Sequence, residues 1–394
     1  MAKFAVSGTR KFRRARRPKT LKLKTKPMEG EKRKIRVGIT HGDTNGIGPE
    51  VVLKALSNPM ILELCTPVVY SSSKLLNYHR KSIDSPTPQF NVVKSADNLK
   101  TNQPNLVEVL GGDEPNVEYG VASKHAGEAA FKSLEAAVSD LKRGVIDVLV
   151  TAPINKDNIQ SAAFNFPGHT EYLEASIGNE GDKAMMILFN EQMRIALLST
   201  HLPISKVSES VTRENVKEKI MLLNESLKRD FGIVRPRIAV LALNPHAGEN
   251  GLLGKEEQEV ISPVIEETYE QEKVLCFGPY AADGFFGNEQ YRHFDGVLAM
   301  YHDQGLAPFK TLAMDDGVNF TAGLPYVRTS PDHGTGYDIA GKDMASEDSM
   351  RHAIYAAIDI YRNRERYDEM TANPLEKHYH PKGKDNVVLD LTKE

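Results

Sequence analysis

The sequence predicts an α/β fold, and two observations predict it. Short apolar runs alternate with helical patterns along most of the chain, with no internal repeat or long low-complexity stretch. Most of those runs are continuously apolar rather than alternating, as expected of strands buried on both faces. The chain has 394 residues, of which 40% are hydrophobic and 26% charged. That composition excludes fibrous and collagen-like classes, and no run approaches the ~18 apolar residues of a membrane span. Cys65 and Cys276 stand far apart without a Cys-x-x-Cys pair, which argues against a disulfide scaffold, a cysteine zinc site and a dithiol centre. A soluble protein of the reducing cytoplasm, with no membrane partner, is the expectation.

Charge divides the chain. Residues 1–34 carry fourteen Lys/Arg against Glu29 and Glu31, a balance of +12 that leaves −15 for the remainder of a chain with formal net charge −3. An arginine-rich run such as Lys11 to Pro18 has the composition of a nucleic-acid or targeting segment. It lacks apolar periodicity, so residues 1–34 are expected to form a disordered, dispensable tail with no nucleic-acid partner. The folded region is expected over 35–363, with a C-terminal surface extension over 364–394.

The elements follow in order. Strands are expected at Ile35–Thr40, Val68–Ser71, Ile146–Thr151, Ala184–Phe189, Arg194–Ser199, Ile238–Leu243 and Gly296–Met300. The clearest helix runs from Gly127 to Arg143: Phe131, Leu134, Val138 and Leu141 share a face, and Gly144 follows as the stop. Met350, Ile354, Ala357 and Tyr361 mark a late helix, whose pattern fades beyond Arg364.

Five strands run straight into polar segments bearing Gly, His or Pro: Thr40 to Pro49, Thr151 to Lys156, Thr200 to Pro203, Asn244 to Glu249 and Tyr301 to Gly305. In open α/β sheets ligands bind where the loops at the carboxyl ends of strands converge, so one shared site is expected. Any one such loop alone reads as a helix cap. Three of them offer His201, His246 and His302, and three imidazoles from three strand ends suit a catalytic divalent cation with open positions. With 12 histidines in the chain, spacing alone also permits ordinary hydrogen-bonded roles. Asp303, next to His302, suits a supporting or acid/base role.

Neither a Walker A sequence nor a strict Gly-x-Gly-x-x-Gly is present. Gly42, Gly46 and Gly48 precede an expected helix at Pro49, so their amides suit either an anion or a tight turn. Lys310, Asn319 and Arg328, with His169 and Thr170 at another helix start, are the donors a phosphate monoester requires, or else ordinary polar surface.

Together these motifs resemble the 4-hydroxythreonine-4-phosphate dehydrogenase family of pyridoxal phosphate biosynthesis. The resemblance runs from about Ile35 to Tyr361 and rests on Gly46-Ile-Gly-Pro, Phe166-Pro-Gly-His-Thr-Glu, Ser199-Thr-His-Leu-Pro, Asn244-Pro-His-Ala-Gly-Glu, Gly278-Pro-Tyr-Ala-Ala-Asp, Met300-Tyr-His-Asp-Gln-Gly and Gly323-Leu-Pro-Tyr-Val-Arg-Thr-Ser. It implies two α/β/α lobes around a cleft, like the isocitrate and isopropylmalate dehydrogenases. It implies a divalent metal (Zn, Mg, Co or Mn) on His201, His246 and His302, and phosphorylated substrate on His169, Thr170, Lys310, Asn319 and Arg328. It also implies a homodimer with active sites at the subunit interface. His333, Gly334, Thr335 and Asp338 resemble the NAD-binding loop of those dehydrogenases, where an acidic residue at Asp338 meets the adenosine ribose and favours NAD over NADP.

The implied reaction is oxidation of 4-phosphooxy-L-threonine at C3 to 2-amino-3-oxo-4-phosphooxybutanoate, which loses carbon dioxide to give 3-amino-2-oxopropyl phosphate. Asp283, Asp303 or Lys156 is expected to take the hydroxyl proton. A dehydrogenase of threonate or erythronate 4-phosphate is the alternative. His41 stands where the family commonly has proline, and its place in the first loop is expected to bear on substrate choice.

Overall fold

The computed structural model describes residues 33–111, 116–313 and 315–374. Nearly all of the basic tail and the end of the C-terminal extension lie outside them. Strands β1 (Ile35–Thr40), β2 (Cys65–Ser71), β3 (Asn91–Val93), β4 (Asn105–Glu108), β5 (Val148–Thr151), β6 (Met185–Phe189), β7 (Arg194–Leu197), β8 (Arg237–Leu241), β9 (Leu275–Tyr280), β10 (Gly296–Ala299), β11 (Val318–Ala322) and β12 (Val327–Pro331) build a mixed α/β fold. They form a continuous sheet ordered β3-β4-β2-β1-β5-β12-β11-β6-β7-β10-β8-β9.

Strand direction reverses across this sheet. The six strands from β3 to β12 are mutually parallel. β11 is antiparallel to both β12 and β6, and β6 to β7. β7, β10, β8 and β9 are again parallel to one another, so they run opposite to the first six. The five polar loops therefore leave strands pointing in two opposed directions. The expected shared carboxyl edge does not exist, and a common site has to form over a face of the sheet.

The packing shows which face. On one side a single core spans the whole sheet, with Ile39, Val150, Phe320, Ile187, Ala196 and Val240 packed beneath the helices Gly48–Ala55, Arg213–Arg229 and Asp348–Thr371. The other side carries two separate cores. Val68, Tyr70 and Leu149 pack under the helix Lys124–Lys142 through Leu134, Val138 and Leu141. Ile195, Leu197, Ala239 and Val297 pack under the helix His302–Leu312 through Leu306 and Phe309. Between these two cores lie β12 and β11, flanked by β5 and β6. The two lobes thus share one sheet and one core, and part company only on the second face.

Local signals explain the helices that frame this gap. Ser123 caps Lys124–Lys142 by accepting from Ala126 N at 3.2 Å, and Thr212 caps Arg213–Arg229 by accepting from Asn215 N at 3.2 Å. The last helix continues past Arg364 to Thr371, because charge takes over where the apolar pattern fades. Arg364 donates to buried Asp230 at 2.6 Å and to the carbonyls of Leu324 and Pro325, and Arg229 grips Asp368 through two hydrogen bonds.

The first loop resolves as a structural turn. Every residue from Thr40 to Glu50 is buried, and the amides are consumed internally: Asp43 N donates to Pro153 O, Asn45 N to Asp43 Oδ1, and Ile47 N to Thr335 O. Gly42 has φ 71°, and a Cβ there would stand 2.3 Å from Pro153 O. No amides are left for an anion among these. His41 is fully buried under this loop, contrary to the expectation that it would bear on substrate choice.

Two predictions follow from this packing. Asp230→Ala strands the Arg364 guanidinium, which is 7% exposed, and should lower the free energy of unfolding by ~3 kcal/mol in a denaturant titration; a loss under ~1 kcal/mol would contradict the pairing. The second concerns His41 and His79, which burial pushes down from 6.5 to about 4, with repulsion from His79 adding to the effect on His41. Between pH 6.5 and 5 the unfolded chain binds protons there that the folded chain refuses, so each contributes stability that falls as the pH falls. His41→Leu should flatten the stability profile in that window by ~1 kcal/mol per pH unit relative to the parent. Parallel profiles would refute the assignment.

Candidate functional site

Strand periodicity builds the site floor. On β11, Val318, Phe320 and Ala322 face the continuous core, which turns Asn319 and Thr321 to the other side. On β12, Val327 faces that core and Thr329 donates to Ala353 O of the last helix, which turns Arg328 and Ser330 the same way as Asn319. Met186 and Leu188 of β6 and Thr151 at the end of β5 complete the floor. A cavity of about 270 Å³ sits over them, walled by Ile154, Lys156 and His169 from one lobe and by His201, His302, Leu306 and Lys310 from the other. Asp332, His333 and Gly334 close it beyond β12.

Arg328 dominates the electrostatics. It is 2% exposed, and its three hydrogen bonds go to hydroxyls: Nε and Nη2 to Thr151 Oγ1 at 3.0 and 2.6 Å, Nη1 to Thr321 Oγ1 at 3.1 Å. Burial lowers its pKa to about 9, opposed by the charge of Glu171. It remains a cation at neutral pH, without a carboxylate bonded to it. The same burial, with repulsion from Arg328 and Lys156, drives the His169 imidazole well below its usual range, so His169 is neutral. His169 Nε2, Asn319 Oδ1 and His333 Nε2 are buried and have no partner in the protein. Orphaned polar atoms are rare in folded interiors, and three lining one cavity mark a polar ligand's place.

The other charged groups are arranged around this cation. Lys310 Nζ donates to the Asp332 carbonyl at 3.1 Å and stands 3.5 Å from Asp332 Oδ1. Burial raises the Asp332 carboxyl to about 6, with Lys310 acting against the shift. His201 Nδ1 bonds Glu171 Oε1 at 3.0 Å, and its Nε2 lies 3.3 Å from Lys156 Nζ. The bond to His201 holds Glu171 below the usual carboxyl range, so the ionised carboxylate accepts and Nδ1 carries the hydrogen. His302 Nδ1 meets Asp303 Oδ1 in the same way at 2.7 Å.

In both histidines this leaves Nε2 as the lone-pair nitrogen, the arrangement that suits an imidazole to a divalent cation. His246 does not join them. It sits exposed on the segment Pro245–Gly251, in a left-handed conformation with φ 51°, and does not line the cavity. Among the described residues no three His, Cys, Asp or Glu side chains are grouped to hold a metal ion. One chain therefore fits two of the three expected donors to a cation.

Of the expected phosphate donors, His169, Lys310, Asn319 and Arg328 share the cavity, and Thr170 lies just outside its lining. Lys156 lines it, whereas Asp303 is exposed behind His302 and Asp283 is exposed on the helix Ala282–Gly287. His333 and Gly334 line it; Thr335 and the exposed Asp338 continue the loop beyond. That loop is clamped by Asp43, whose Oδ2 accepts from Tyr337 Oη at 2.9 Å and Asn158 Nδ2 at 2.8 Å. Sequence reasoning missed Thr151, Glu171, Ser330 and Asp332. Glu171 ends the Phe166-Pro-Gly-His-Thr-Glu motif and Asp332 precedes His333, so position beside named residues was their available signal.

Residues 63–357 match the family described as pyridoxal phosphate biosynthetic protein PdxA. A 4-hydroxythreonine-4-phosphate dehydrogenase from Bacteroides thetaiotaomicron is 55% identical over 361 residues, covering 92% of this chain and 98% of that protein. A relative from Oceanobacillus iheyensis, named for D-threonate 4-phosphate dehydrogenation, is 38% identical over 82% of this chain and 97% of its own length. The crystal structure of 4-hydroxythreonine-4-phosphate dehydrogenase from Klebsiella pneumoniae superposes with a TM-score of 0.71 at 32% identity, covering 84% of this chain and 99% of that one.

Proposed function

The chain belongs to the pyridoxal phosphate biosynthetic protein PdxA family, and from that premise we propose that its cavity oxidises 4-phosphooxy-L-threonine at C3, with NAD as acceptor. The observation that carries this reading is the buried Arg328 guanidinium, bonded only to hydroxyls and surrounded by Lys310, Asn319 and neutral His169. A buried cation without a carboxylate is stable company for a phosphate dianion, which presents the anionic oxygens that Arg328 lacks. A divalent cation at His201 and His302 would polarise the C3 hydroxyl, and the nicotinamide would supply the hydride acceptor.

This chain's own residues do the rest. Met186, Leu188, Ile154 and Leu306 give the cavity apolar walls that exclude water from the reacting carbon. Of the three groups expected to take the hydroxyl proton, Lys156 lines the cavity beside His201 while Asp283 and Asp303 do not, and it would act there as the neutral amine, after its own proton has passed to solvent. The β-keto acid so formed, 2-amino-3-oxo-4-phosphooxybutanoate, loses its carboxylate to give 3-amino-2-oxopropyl phosphate. Asp338, at the far end of the His333 loop, is suited to accept from ribose hydroxyls and repel a 2′-phosphate.

The test is NADH formation with a panel of 4-phosphorylated hydroxy acids, run with and without a chelator. 4-Phosphooxy-L-threonine should be preferred to threonate and erythronate 4-phosphate, and the chelator should abolish turnover. Arg328→Lys should raise KM for the phosphorylated substrate at least ~10-fold more than KM for NAD, since lysine lacks the planar fork. An equal effect on both constants would remove Arg328 from the phosphate site.

The third histidine favours a homodimer in which a partner subunit's loop completes each site. His201 and Lys310 line the same cavity of one chain, so chains lacking one or the other should not complement. Chains carrying His201→Ala and His246→Ala, each inactive alone, should recover part of the parent activity when mixed under conditions of subunit exchange. Silence despite proven exchange would mean that these two side chains serve one site from one chain.

A further inference from the structure

We propose that Lys54, with Glu50, latches the loop from His333 to Ala345 and thereby sets the affinity for the dinucleotide; this rests on the reading of His333 to Asp338 as nucleotide contacts. The helix Gly48–Ala55 is buried along its whole length and meets that loop at both ends. At its N-cap, Ile47 N donates to Thr335 O at 2.9 Å, and Gly336 lies so close that a Cβ there would stand 2.8 Å from the Ile47 side chain. In its last turn Lys54, with a side chain 9% exposed, reaches the loop's far end. The ammonium meets Asp343 Oδ1 at 2.7 Å and the carbonyls of Asp343 and Ala345 at 3.2 and 2.9 Å. Glu50 Oε1, one turn earlier, accepts from Lys54 Nζ at 2.8 Å and from Ala345 N at 3.2 Å.

The far end needs this support. Asp343 stands in a left-handed conformation with φ 57°, which costs a residue bearing a Cβ energy and persists only where its surroundings over-determine it. Here they do: Lys54 holds its Oδ1 and its carbonyl, and its Oδ2 accepts from Asp84 N at 3.1 Å. Between the two ends, Tyr337 Oη bonds Asp43 and Gly341 rests on the Tyr119 ring, while Gly334, Asp338 and Lys342 are exposed. The loop's inner side is thus fixed to a buried helix, and its outer side displays the Asp338 carboxylate. A ligand that met the same loop unfixed would have to order it on binding, and that ordering weakens binding.

The effect falls on the nucleotide alone. His333 and Gly334, which the loop contributes to the cavity, are held through Thr335 and Tyr337 just beside them, by bonds to Ile47 and Asp43 that do not involve Lys54. Releasing the far end therefore loosens the stretch from Asp338 to Ala345 and leaves the cavity wall in place. Lys54 and Glu50 act through the loop, as positioning residues.

The test compares the parent with a double variant, Lys54→Met with Glu50→Gln, which removes both charges together so that neither is stranded in the interior. Calorimetric titration with NAD and with ADP-ribose should show Kd rising at least ~10-fold for both, and KM for NAD should rise with it. KM for 4-phosphooxy-L-threonine, and kcat at saturating NAD, should stay within about 2-fold of the parent. Equal rises in both Michaelis constants, a fall in kcat with KM for NAD unchanged, or an unchanged Kd would overturn the proposal. If the double variant fails to fold, Asp343→Asn decides, because it keeps Lys54 paired with Glu50 and drops the ionic contact to the loop. It should raise both Kd values ~3-fold without changing KM for the phosphorylated substrate; unchanged Kd values, or an equal rise in that KM, would overturn the latch. A parent that binds neither NAD nor ADP-ribose would instead overturn the reading of the loop itself.

Discussion

A buried guanidinium bonded to two threonines is the constraint around which the rest of this structure is arranged. Arg328 lies on the central strand of a wide sheet, where a cation is expensive to desolvate, and its hydrogen bonds to Thr151 and Thr321 leave its charge uncompensated. It is tolerable there because the sheet is open on that face. The helices Lys124–Lys142 and His302–Leu312 cover the flanking strands and leave β12 and β11 between them. Burial, with repulsion from Arg328 added, keeps His169 neutral, so it meets an anion as a hydrogen-bonding group rather than as a second charge. The buried uncompensated charge and the split core are therefore one design seen at two scales.

How far the sequence disclosed this depends on which side of the sheet a residue faces. β1 was legible to the residue and β5, β6 and β10 nearly so, since strands buried on both faces read as apolar runs. β11 and β12 were not, because Asn319, Thr321, Arg328 and Ser330 interrupt every second position; the polar residues that make the floor are what hid the strands carrying them. Short edge strands such as β3 escaped for want of length. The site residues show the complementary pattern. Lys310, Asn319, Arg328 and His169 were visible as donors without a fold to join them, and the resemblance to a family grouped them. The reversal of strand direction left no trace in local sequence, so the five loops suggested a carboxyl edge where there is a face.

The histidines separate what one chain can specify from what it cannot. His201 and His302 are each fixed by a carboxylate on Nδ1, from Glu171 and Asp303, which sets the tautomer and aims Nε2. Those bonds are local and complete within the chain. His246 has no such support: it stands exposed in a run of left-handed residues from His246 to Asn250, a conformation that costs L-residues energy and persists only where something over-determines it. The contrast is between two imidazoles held in place by their own chain and a third presented outward to solvent.

The Gly-rich first loop carries the argument one step further. Its spacing suggested an anion cradle, yet Gly42, Gly46 and Gly48 each admit a backbone carbonyl where a Cβ would stand, from Pro153, Thr335 and His41 respectively. The glycines serve close approach between chain segments rather than approach of a ligand. Asp43 at its centre binds Tyr337 from the loop bearing His333 and Asn158 from the segment bearing Lys156. Two walls of the cavity are thereby tied to one buried carboxylate, 1% exposed, outside the cavity lining. The positions of the His333 loop and the Lys156 segment are thereby set by one pair of hydrogen bonds outside the cavity lining.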